Sequence, residues 1–100
     1  MPRKPTPLPD GAPITQRAAH AFVAAAKEAL GVNSAAEVAK AVGESVYGLS
    51  HVMRGREGSL DRVHRWCVAM LAHGVLMRLV VSPDEATIEW RWIGQGGGST

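Results

Sequence analysis

Arginine is the residue of this sequence best suited to chemistry with a partner. From Ser45 to Arg78 the basic residues are Arg54, Arg56, Arg62, Arg65 and Arg78, and the acids are only Glu57 and Asp61. A guanidinium pairs bidentately with phosphate oxygens or with a guanine edge, so this local excess reads either as a site for a polyanion or as a solvated basic face. The whole chain does not decide between them. Eleven Lys and Arg against nine Asp and Glu leave a net charge of only +2. Catalysis has no candidate. Cys67 is the one cysteine, which excludes a disulfide framework and a thiolate metal cluster, and its place on an apolar helix stripe points to a buried small side chain. His20, His51, His64 and His73 lack HExxH spacing and neighbouring carboxylate ligands. There is no G-x-S-x-G element, and the C-terminal glycines have no helix after them to cradle a phosphate. The expectation is a protein that is not an enzyme and takes no metal or cofactor.

These residues sit in a chain that divides into four parts. Residues 1–13 contain five prolines with Arg3 and Lys4 and read as a flexible basic arm; residues 14–74 are helical; residues 75–93 are strand-like; and residues 94–100 form a Gly-rich tail. One hundred residues with 46% apolar side chains support one modest core, and so small a domain gains from a partner. No apolar run approaches the roughly twenty residues of a membrane span, and no secretion signal is legible, so a cytoplasmic protein is expected.

Capping residues and apolar spacing divide residues 14–74 into helices. Thr15 is expected to cap a first helix, with Ala19, Phe22, Val23, Ala26 and Leu30 on its apolar stripe and Gly31 as its stop. Ser34 and Glu37 form an S-x-x-E capping box opening a second helix that ends at Gly43. Ser45 caps a third, with Val46, Leu49, Val52 and Met53 expected inward and Gly55 as the stop; Ser59 caps a fourth running to about His73, its stripe being Leu60, Val63, Cys67, Met70 and Leu71.

Ala39, Gly43, Leu49 and Val52 stand at the spacing of a bacterial helix-turn-helix over roughly Ala35 to Gly55. Ala39 is small where two helices cross, Gly43 supplies a left-handed turn, and Leu49 and Val52 anchor the third helix so that its other face points outward. Over about residues 15–74 the chain resembles the Cro/C1 (Xre-type) family. That resemblance implies a mainly α fold: a four- to five-helix lambda-repressor-like domain, here followed by a two-stranded antiparallel hairpin. It also implies that Ser45, Val46, Tyr47, Ser50, His51 and Arg54 lie where the family contacts bases or flanking phosphates, with Val46 suited to a thymine methyl. Arg56, Arg62 and Arg65 would hold phosphates, and Arg3 and Lys4 would reach the DNA beside them. Two residues depart from the family pattern. Glu44 stands at a place usually apolar, and Gly48 lies inside the recognition helix, where glycine costs about 1 kcal/mol relative to alanine.

After Gly74 the apolar period becomes two, and Ser82 to Glu85 reads as a turn with proline second. That loop sets Val81 opposite Ala86, Leu79 opposite Ile88, Met77 opposite Trp90 and Val75 opposite Trp92, with Arg78 facing Glu89 on the other side. The apolar face needs cover. The chain's own helices could provide it, but Met77, Leu79, Ile88, Trp90 and Trp92 are expected to form a homodimer interface, because a palindromic operator asks for a two-fold protein. The hairpin resembles those of phage Cro proteins and of some HigA-type antitoxins. The first likeness implies a repressor homodimer on a double-stranded DNA operator, and the second a protein that neutralises a toxin partner and represses its own operon.

Overall fold

The first helix is built to be surrounded. α1 spans Ile14–Leu30, and Ala18, Ala19, Ala25, Ala26 and Ala29 are buried along it beside Phe22 and Val23. Small side chains let neighbouring backbones approach closely, and α1 touches each of the longer elements of the fold. Its start differs from the expectation. Pro13 precedes the first turn without a side-chain cap, while Thr15 lies inside the helix and is buried. Proline needs no N–H partner there and carries a backbone suited to entering a helix.

The computed structural model describes residues 13–56, 60–83 and 85–93, so the expectations about the N-terminal arm, the Ser59 cap and the Gly-rich tail lie outside the described residues. After α1 come α2 (Ala35–Ala41), α3 (Val46–Met53) and α4 (Leu60–Ala69), then a single 3-10 turn over Met70–His73 and the strands β1 (Val75–Val81) and β2 (Ala86–Trp92). The described residues are thus mainly helical, with four helices and a two-stranded antiparallel hairpin. No helix among the described residues is long and apolar enough to cross a membrane.

The core collects Phe22, Val38, Leu49, Val52, Val63 and Met70 between the helices, and Val75 joins them from the hairpin. On α4 the buried stripe is Val63, Trp66 and Cys67, continued by Met70. Trp66 replaces Leu71 in the expected stripe, because the shift from α-helix to a 3-10 turn rotates Leu71 toward solvent. The Trp66 ring packs on Phe22 with centroids 5.4 Å apart.

The hairpin adopts the register read from its loop, from Val75 opposite Trp92 to Val81 opposite Ala86, with Arg78 opposite Glu89. Its inner face, however, is occupied within the chain. Val75, Met77 and Ala86 are buried in the common core, and Leu79, Ile88 and Trp90 pack partly buried against it, with α1 lying along β2. This corrects the premise of a face-to-face dimer: the protein's own helices cover Met77, Leu79, Ile88 and Trp90. Trp92, at 53% exposed, is the member of that set left open. Four short helices suffice because alanine lets α1 approach the sheet closely.

Cys67 is 3% exposed, and burial pushes its thiol up to about 11. A thiol both covered and protonated reacts slowly with disulfide reagents. Labelling of the native protein at pH 8 is expected to be about two orders of magnitude slower than in denaturant. Fast labelling without denaturant would place Cys67 outside the core.

Candidate nucleic-acid interface

α2 and α3 are joined by a turn whose geometry follows from one glycine. The Gly43 N–H donates to the Lys40 carbonyl and the Glu44 N–H to the Ala39 carbonyl at 2.8 Å, closing α2 in a Schellman motif. That motif requires the φ of +74° that Gly43 adopts, which a residue with a Cβ reaches only under strain. At the helix starts, Ser34 Oγ accepts from the Glu37 N–H at 3.3 Å and Ser45 Oγ from the Gly48 N–H at 2.9 Å, as their positions predict.

With eight residues, α3 turns two faces in opposite directions. Gly48, Leu49 and Val52 are buried. Val46 and Tyr47 are 51% and 73% exposed, Ser50 and His51 are half-buried, and Ser45 and Arg54 are exposed. Val46, expected inward from its apolar type, therefore belongs to the outer face with Tyr47, Ser50, His51 and Arg54, as 3.6-residue periodicity places it. The Tyr47 and His51 rings sit one turn apart with centroids 4.4 Å from each other. Ser45 to Arg56 contains no carboxylate, so this face presents donors, an aromatic pair and arginine without a competing anion. Arg56 and Arg65 are also exposed.

Both ends of α3 are tied to other helices. At its C-terminus the Met53 carbonyl accepts from Gln16 Nε2 at 3.0 Å and from His20 Nε2 at 2.9 Å, both on α1. A carbonyl only accepts, so His20 carries its hydrogen on Nε2. At the N-terminal end the Glu44 carboxylate accepts from Arg62 Nη2 at 2.7 Å and from the Trp66 indole N–H at 3.1 Å, both on α4. Glu44 and Arg62 side chains are 17% and 25% exposed, so this ion pair is largely sheltered from water. Hydrogen bonding from Arg62 holds the Glu44 carboxyl below its ordinary value, outweighing the upward push of burial, and Trp66 adds to the lowering.

This cluster gives Arg62, Glu44 and Gly48 a common role. Arg62, expected at a phosphate, spends its guanidinium on Glu44; Arg54, Arg56 and Arg65 remain on the surface, and Arg3 and Lys4 lie outside the described residues. The oxygens of Glu44 are satisfied by Arg62 and Trp66. Gly48 lies under the same pair: a Cβ there would overlap Glu44 Oε2 and stand 2.8 Å from Arg62 Nη2. An alanine there would gain about 1 kcal/mol of helix propensity but would push the ends of both side chains aside, so the two effects oppose each other. No family model, curated protein or solved structure matches the chain.

Two outcomes follow for stability. Gly48→Ala is expected to stabilise the protein by up to about 1 kcal/mol in a Glu44→Ala background and by clearly less in the wild type, as measured by urea unfolding. Equal effects in both backgrounds would separate Gly48 from the ion pair. Because the folded value of Glu44 is lowered, its contribution is complete above the ordinary glutamate pKa of about 4.3 and is lost as the pH falls through the lowered value. Glu44→Gln should therefore flatten the acid limb of the stability profile while leaving its shape above pH ~6 unchanged.

Proposed function

We propose that the protein is a sequence-specific double-stranded DNA-binding transcriptional repressor of the Cro/C1 type, acting as a homodimer on a palindromic operator. The observation that carries this reading is the outward face of α3. It is fixed at both ends to α1 and α4 and projects Val46, Tyr47, Ser50, His51 and Arg54 away from the core. A helix so held can enter a major groove as a rigid body, without the entropy cost of ordering it on contact.

The chemistry of the face divides the work. Ser50, His51 and Arg54 carry donors and acceptors for base edges, Arg54 having the fork that suits guanine O6 and N7. Val46 offers an apolar surface to a thymine methyl. Ser45 and Tyr47 border the groove walls, and Arg56 and Arg65, on the flanks, meet phosphates and set the register. Repression follows from occupancy: a protein seated across a promoter excludes the polymerase.

Selection from a random duplex library is expected to yield a two-fold site with half-sites about one helical turn, roughly 34 Å, apart. On that site Arg54→Ala should cost about 1–3 kcal/mol and relax preference at particular base pairs. Arg56→Ala should instead weaken all duplexes alike and reduce the salt slope by about one per subunit. Failure to enrich any sequence, or equal losses for both variants on specific and random DNA, would refute sequence reading by α3.

A further inference from the structure

Both helices of the α2–α3 unit end in the same way, and each ending leaves one carbonyl to be met from outside the unit. In α3 the amides of Arg54, Arg56 and Gly55 donate to the carbonyls of Ser50, His51 and Val52 at 2.9, 3.0 and 3.0 Å, a second glycine-closed motif. In α2 the carbonyls of Val38, Ala39 and Lys40 are taken likewise. What remains is the carbonyl of the last residue in each helix. His73 Nε2 meets that of Ala41 at 2.8 Å. Gln16 Nε2 and His20 Nε2 both meet that of Met53, at 3.0 and 2.9 Å, and so occupy both lone pairs of its oxygen.

The two endings differ in what they carry. The Met53 carbonyl and the Arg54 amide belong to one planar peptide unit, held on its oxygen side by Gln16 and His20 and on its N–H side by the Ser50 carbonyl. That unit sets where the exposed Arg54 leaves the helix. Gln16 also borders the residue after it: a Cβ at Gly55, whose φ is +77°, would stand 2.9 Å from Gln16 Oε1. The matching unit of α2 leads into Val42, which packs partly buried against the core.

We propose that Gln16 and His20 are positioning residues for sequence reading, holding the Met53–Arg54 peptide so that the Arg54 guanidinium enters the groove at a fixed angle and its preference for one base pair is sharpened. This role rests on base reading by α3. A bidentate fork discriminates only while both of its hydrogen bonds are aligned, and a long side chain amplifies any rotation of the peptide that bears it. Phosphate contacts tolerate such a rotation, because they follow charge more than angle. Neither Gln16 nor His20 touches DNA; their effect passes through Arg54.

The test measures binding of full-chain variants to the selected duplex, to its single-base-pair substitutions and to random duplex, with thermal melts to confirm folding. Arg54→Ala first identifies the base pairs whose preference depends on Arg54. His20→Phe keeps a ring without the N–H, and it is expected to reduce discrimination at those base pairs about tenfold while leaving affinity for random duplex unchanged. His20→Gln, which returns an amide nitrogen close to the position of Nε2, should restore discrimination. The control is His73→Phe, which leaves the Ala41 carbonyl without its donor and should lower stability but spare discrimination. In an Arg54→Ala background His20→Phe should cost no further discrimination. Discrimination that survives His20→Phe, falls equally with His73→Phe, or falls further with His20→Phe in the absence of Arg54 would each overturn the positioning role and leave base reading by α3 standing. A wild type that discriminates among no duplexes overturns both. Should His20→Phe fail to fold, Gln16→Met removes the other donor and is read in the same way. In the free protein, ring-nitrogen shifts of unprotonated His20 should place its hydrogen on Nε2, and a hydrogen on Nδ1 would overturn the clamp without any DNA present.

Discussion

The Glu44 carboxylate, shared between Arg62 and Trp66, is the interaction around which the helical half of the protein is arranged. It stands one residue before the cap of α3 and reaches α4 across the intervening turn. The Trp66 ring rests in turn on Phe22 of α1, so one chain of contacts runs from the start of α3 through α4 into the central helix. An ion pair so sheltered is worth having only if its remaining polar atoms are satisfied, since removing one partner leaves a charge in a poor dielectric. The indole N–H meets part of that demand. The missing Cβ at position 48 leaves room for the pair over the helix backbone.

Much of the architecture was legible because it depends on local rules. The serine caps at 34 and 45, the glycine stops, and the loop length that sets the hairpin register all follow from backbone geometry and side-chain period. Where expectation and structure part, tertiary context outweighs the local signal. Thr15 is a good cap by type, but Pro13 starts the helix and the threonine is drawn into the core. Leu71 fits the apolar stripe by spacing, but a 3-10 turn changes the period there.

At the candidate interface the outer face of α3 could be read from spacing, whereas the fate of Arg62 could not. A guanidinium looks the same in sequence whether it meets a phosphate or a carboxylate eighteen residues away. The signal that could have found the pair was the coincidence of an acid just before the cap of α3 and a glycine four residues later inside that helix. Each alone reads as a defect; together they describe a carboxylate crossing a helix and the space it needs. The hairpin behaves similarly, since most of its apolar face proves to be internal and Trp92 alone of the expected interface residues is left exposed.

If α3 is a pre-set surface whose outer face carries recognition, the Glu44 cluster serves to hold it, and binding should leave that cluster in place. The most direct measurement is an amide chemical-shift map of the labelled protein titrated with its selected duplex, repeated with a scrambled duplex of equal length. Large, sequence-dependent shifts are expected from Ser45 to Arg56, with the Trp66 indole N–H little changed because the cluster is already formed in the free protein. Shifts centred instead on the hairpin, or a map identical for both duplexes, would contradict recognition by α3.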